Sequence, residues 1–126
     1  MERMLGWARS AIESQSFEIQ AATDQRASPT YARDLAWAIM ELVRKDASGV
    51  IHVTNLGGAS RADFAAQLYK ATAQRVRVRG VLASSFPVLA PRPRNTELSL
   101  DSLSSLGLSL RPWEEALLEA VAEASR

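Results

Sequence analysis

The 126 residues contain no cysteine, which excludes a disulfide framework, thiolate metal sites and a thiol nucleophile, and fits a reducing compartment. Histidine occurs once, at His52, so a histidine-rich metal site is excluded and any metal would depend on carboxylates. Charge of one sign is lacking too: fifteen Lys and Arg stand against fourteen Asp and Glu, a net charge of +1. That balance gives no electrostatic reason to expect a nucleic-acid partner. No uncharged apolar run approaches the roughly 20 residues that cross a bilayer, and the opening MERMLGWARSAIES has no signal-peptide core. The expectation is a cytoplasmic protein with no membrane partner.

Glycine is sparse, and its placement matters more than its number. The six glycines, at 6, 49, 57, 58, 80 and 107, never take G-x-G-x-x-G or G-x-x-G-x-x-G spacing. A dinucleotide pocket needs that turn, because only glycine lets the backbone approach the pyrophosphate at a helix N-terminus. No cofactor is therefore expected on this chain alone. Gly57-Gly58 precedes a helical pattern and has two readings, a phosphate cradle or a plain turn, of which the turn is favoured. A Tyr with a Lys four residues on, the arrangement that lets a cation hold a phenol ready for proton exchange, is missing as well. Leu35 follows Tyr31 at that spacing and Ala73 follows Tyr69, so no catalytic residue is assigned.

What is present is the composition of a packed α/β protein, 47% hydrophobic and 23% charged. Met4, Leu5, Ala8, Ala11 and Ile12 predict an amphipathic helix over Glu2 to Ser14. Alternation predicts a half-buried strand over Phe17 to Ala22, followed by a polar loop from Asp24 to Thr30. Leu35, Ala36, Ile39, Leu42 and Val43 predict a helix over Ala32 to Lys45, with Glu41 and Lys45 spaced for an ion pair. Val50 to Thr54 is β-branched and predicts a strand, which would make His52 a structural histidine. Ser60 and Asp63 predict a capping-box start for a helix that buries Phe64, Ala65, Leu68 and Tyr69.

Val76, Val78 and Val81 predict another strand whose arginines, Arg75, Arg77 and Arg79, share a solvated outer face. Ala83 to Asn95, rich in Ser and Pro, reads as irregular. A short helix over Leu100 to Leu106 should end at Gly107. Pro112 fits a first helical position, with Glu114 and Glu115 in the positive first turn and Trp113, Ala116, Leu117, Ala120, Val121 and Ala124 turned inward. Trp7, Trp37 and Trp113 lie in helical patterns and are expected to pack.

Four segments then point to a family. DQRASPTYARDLA, Asp24 to Ala36, resembles the DQ-x-G-S-P-T-Y-A-x-D-L-A segment of the dTDP-4-dehydrorhamnose reductases, extended short-chain dehydrogenases that reduce a 4-keto sugar nucleotide with NADPH. GVIHVTNLGGASRADFA, RPRNTELSLDSL and LGLSLRPWEEAL resemble the segments that follow in the same order. Ala27 stands where the family has Gly, which implies an altered turn, and Arg61 stands where an aromatic is common, which implies a lost packing contact.

The resemblance covers only the family's C-terminal, substrate-binding portion. It implies one small mixed α/β substrate-binding domain over residues 1–126, without most of the Rossmann half and inactive alone, with NADPH serving the complete enzyme. It implies a dTDP-sugar as ligand, with Gln25, Ser28 and Thr30 facing the substrate cleft and Arg92 approaching the diphosphate. For Ser28 and Thr30 a turn-stabilising role stands beside the binding role, and for Arg92 a structural ion pair. The partner would be a separately encoded cofactor half or a second copy through self-association. The alternative is a non-catalytic regulatory module, like the related β subunit of methionine adenosyltransferase.

Overall fold

A computed structural model describes residues 18–87, 90 and 92–125. The helix expected over Glu2 to Ser14, with Trp7 and Phe17, lies outside these residues. Strand β1, Glu18–Ala22, alternates as expected, with Ile19 turned toward the core and Glu18 and Gln20 exposed. It pairs in parallel with β4, Arg77–Val81, in the register Ile19 to Val78 and Ala21 to Gly80. Parallel neighbours need a crossover, and its covering helix is α2, Arg61–Ala71. Ala65 and Tyr69 of α2 bury Ala21 and pack on Ile19, Val76 and Val78. Arg75, Arg77 and Arg79 are left exposed, as the alternation requires.

Helix α2 begins on a full capping box. The Asp63 N–H donates to Ser60 Oγ at 3.1 Å, and the Ser60 N–H donates to Asp63 Oδ2 at 3.0 Å, so two otherwise orphaned donors are satisfied. The far side of α2 packs on α4, Trp113–Ala124. Leu68, Trp113, Leu117, Val121 and Ala59 form that core, and the Phe64 and Trp113 rings lie 5.7 Å apart at 31°. Pro112 occupies the N-cap position, one residue ahead of the first helical turn. Ala124, expected on the inner stripe, is exposed because the helix ends there.

A third core joins Ala38 of α1, Ala32–Arg44, to Leu103 of the short helix α3, Asp101–Ser105, and to Leu108 and Leu110. Gly107 terminates α3 with φ +72°, a left-handed conformation suited to glycine. Three sequence expectations fail around α1. Its inner line runs through Ala38, so Trp37 is 50% exposed and Val43 69%; Ile39 and Met40 are exposed with them. Glu41 pairs with Arg44 instead of Lys45, because Lys45 already lies beyond the last helical turn. Residues 50–54 form no strand: Ile51 and Val53 pack inward on the third core, but pairing is reached only at Leu56, in a single parallel bridge to Pro112. His52 is accordingly exposed.

Candidate functional site

Three two-residue strands meet where the sequence places the substrate-facing residues. β2, Arg26–Ala27, lies between β3, Ala59–Ser60, which runs antiparallel to it, and β5, Asn95–Thr96, which runs parallel. The Arg26 N–H donates to the Arg94 carbonyl at 2.8 Å, which brings the Gln25 to Thr30 loop against the element carrying Arg92. The described residues between 83 and 94 are mainly irregular, with one 3-10 turn at Ala83–Ser85.

Each predicted residue can be placed. Ser28 Oγ accepts the Leu98 N–H at 3.1 Å, and Thr30 Oγ1 donates to the Ser28 carbonyl at 3.2 Å. Both hydroxyls thus hold the loop, as short polar side chains do in turns. Gln25 is half-buried and Arg92 exposed. Neither side chain has a hydrogen bond or ion pair among the described residues. Asp24 faces the other way, its carboxylate accepting the Ala83 N–H at 2.7 Å. Ala27 sits in an extended strand and needs no glycine conformation. Arg61 is exposed on the first turn of α2.

The Gly57-Gly58 pair is not a phosphate cradle. Gly57, at φ +87°, passes over the Trp113 indole, and a Cβ on Gly58 would fall 2.0 Å from Glu97 Cδ. A carboxylate therefore fills the space an anion would need. Together with the glycine spacing, this means that the residues present do not fit a dinucleotide cofactor.

A polar network the sequence reading did not assign braces the site from behind. Asn55 is 1% exposed. Its Oδ1 accepts the Tyr31 N–H at 2.8 Å, while Nδ2 donates to Asp34 Oδ2 at 2.7 Å and to the Arg111 carbonyl at 3.1 Å. Arg111 grips Asp34 with Nε and Nη2, stacks 5.8 Å from the Tyr31 ring centre and also pairs with Glu119. Arg33 and the Tyr31 hydroxyl reach Glu123 from the other side. The Arg111 hydrogen bonds hold the Asp34 carboxyl below its ordinary range, against the opposing effect of burial. Hydrogen bonding to Glu123 pushes the Tyr31 phenol up. The signal for this network was the pair of an Asp inside YARDLA and an Asn ending a β-branched run, but nothing local joined them.

A separate hollow of about 380 Å³ opens between the C-terminal ends of α2 and α4, lined by Leu68, Thr72, Gln74, Val121 and Ser125 among others. None of the predicted site residues borders it.

Comparison with known proteins gives this geometry a family. The chain is 41% identical over 107 residues to a dTDP-4-dehydrorhamnose reductase of Mycolicibacterium smegmatis, an alignment covering 82% of this chain and 33% of that protein. A crystal structure of a dTDP-4-dehydrorhamnose reductase from Clostridium acetobutylicum superimposes with a TM-score of 0.90 at 25% identity, over 99% of this chain and 43% of the other. The Bacillus anthracis dTDP-4-dehydrorhamnose reductase in complex with NADP matches with a TM-score of 0.82 at 30% identity, over 92% of this chain and 42% of the other. The chain thus spans about a third of that curated relative and about two fifths of the two solved structures. The family model described as RmlD substrate binding domain matches residues 6–126, and the chain belongs to that family.

Proposed function

We propose that residues 1–126 are one domain, the sugar-nucleotide-binding portion of an NADPH-dependent dTDP-4-dehydrorhamnose reductase in the cytoplasm, inactive by itself. The observation that carries this reading is the parallel pairing of β2 with β5, which sets Gln25 and Arg92 on adjoining segments, neither side chain bonded to another described residue. A guanidinium offers a planar fork of donors to diphosphate oxygens, and an amide suits sugar hydroxyls. Ser28 and Thr30 shape the loop between them. The named activity of the relatives supports a dTDP-sugar as the ligand.

In this reading the chain binds and orients the sugar and excludes water, while hydride and proton come from a cofactor-binding half. Two features support a surface for that half or for a second copy. Helix α1 leaves Trp37, Ile39, Met40 and Val43 outward, and Val50, at the start of the unpaired 50–54 segment, is 86% exposed.

Calorimetry of the purified chain with dTDP tests the reading. Saturable heat, reduced in Arg92→Ala and Gln25→Ala variants, is expected. An absence of both heat and thermal shift would reject it. A chain that consumed NADPH with a keto-sugar nucleotide on its own would reject the claim of inactivity.

A further inference from the structure

The three strands at the site are too short to hold their own register. Each neighbouring pair shares two residues, and isolated short ladders are marginal in water. Side chains supply the rest, and Arg26 is their hub. Its Nε pairs with the Glu97 carboxylate just past β5, and its Nη2 donates to the Gly58 carbonyl just ahead of β3 at 2.9 Å. Thr96 Oγ1 donates to the Arg26 carbonyl at 3.0 Å. The Glu97 N–H donates to Asn95 Oδ1 at 2.9 Å, and Glu97 sits in the space that Gly58 leaves by having no Cβ. Three segments distant in sequence are thus tied at one guanidinium.

The two side chains are 47% and 32% exposed, so as a contribution to stability the pair is worth little. Its geometric effect is greater, because it ties β2 both to the residue that follows β5 and to the turn ahead of β3. It also has an electrostatic effect. Glu97 is a carboxylate beside a site read as binding a diphosphate, and Arg26 neutralises it.

We propose that Arg26 and Glu97 are positioning residues for the sugar-nucleotide site, a charge-neutral clasp that spaces the Gln25 loop from the Arg92 element. This rests on the substrate-binding reading above. It predicts an asymmetry that a merely structural pair would not show. Removing Arg26 leaves Glu97 to repel the ligand, whereas removing Glu97 loosens the clasp without adding repulsion.

The test compares Arg26→Gln, Arg26→Lys, Glu97→Gln and the double Gln variant by dTDP calorimetry at low and high salt, with amide exchange at Leu98. R26Q should weaken dTDP binding about tenfold, a loss that shrinks with salt, and E97Q distinctly less. R26K should recover most of the affinity, and the double variant should bind better than R26Q. Leu98 exchange, which reads its bond to Ser28, should quicken in R26Q and E97Q. Equal losses in R26Q and E97Q, or losses that simply track thermal stability, would overturn the proposal. Should the unaltered chain bind no dTDP, the substrate reading fails first. The positioning role falls with it, and Leu98 exchange then tells only whether the pair ties the two segments together.

Discussion

Arg111 and Asp34, 77 residues apart in sequence, face each other fork to fork: Nε lies 2.9 Å from Oδ2 and Nη2 lies 2.8 Å from Oδ1. Bidentate pairing of this kind is directional as well as strong. Through Asn55 it fixes the start of α1, the turn before β3 and the approach to α4 in one arrangement.

Replacing Arg111 by Met should therefore cost more than a surface pair would. Asp34 is only 14% exposed and would keep a single side-chain donor, so a loss of about 2 kcal/mol is expected. Urea unfolding measures it. A loss below about 0.5 kcal/mol, the range of ordinary surface changes, would mean that the network is not a brace.

The same pair sets an acid limit. Arg111, with help from Asn55, holds the Asp34 carboxyl below its ordinary range, and Ser60 does the same for Asp63. A carboxylate depressed in the folded state contributes stability above its unfolded value of about 3.9, and that contribution is lost as pH falls through the folded value. The stability gap between the unaltered chain and Asp34→Asn should be widest near neutral pH and should narrow below about pH 4. Thermal melts across pH would show it, and a gap independent of pH would contradict the assignment.

Gly58→Ala probes the close approach of Glu97. The backbone there is not left-handed, so the new methyl acts only by displacing the carboxylate. A loss of about 1 kcal/mol is expected, and most of it should vanish in a Glu97→Ala background. Additive losses in a double-mutant cycle would show that the two residues do not compete for space.

Helix α1 carries the apolar face most easily tested. Met40→Lys with Val43→Glu should leave the melting temperature nearly unchanged, since both side chains are more than half exposed. The doubly substituted chain should also self-associate less by light scattering. Strong destabilisation would show instead that this face is covered within one molecule.

Local patterns were the legible part of this fold. The alternation of β1, the Ser60 to Asp63 cap and the Pro112-Trp113 helix start each span a few residues, and each carries its own physical signature. The family motifs led to Gln25, Ser28, Thr30 and Arg92, which lie on two segments that adjoin through β2 and β5. The connections that hold them together were not legible. Arg26 to Glu97 spans 71 residues, and strands of two residues have no periodicity to read. Residues 50–54 had the composition of a strand, but a ladder needs a neighbour, and composition does not say whether one is present. Similarly, the apolar set on α1 marked a face without telling which layer would cover it.

The parallel pairing of β1 with β4 closes a long excursion of chain, secured at its end where the Ala83 N–H reaches Asp24, 59 residues away. Such closure must be met before any reward arrives. During synthesis this pairing cannot form until α1, α2 and β4 have all followed β1. During that interval the edge that β4 will cover is open, and a neighbouring nascent chain can claim it. Yield in overproducing cells should therefore fall with expression rate sooner than equilibrium stability would indicate.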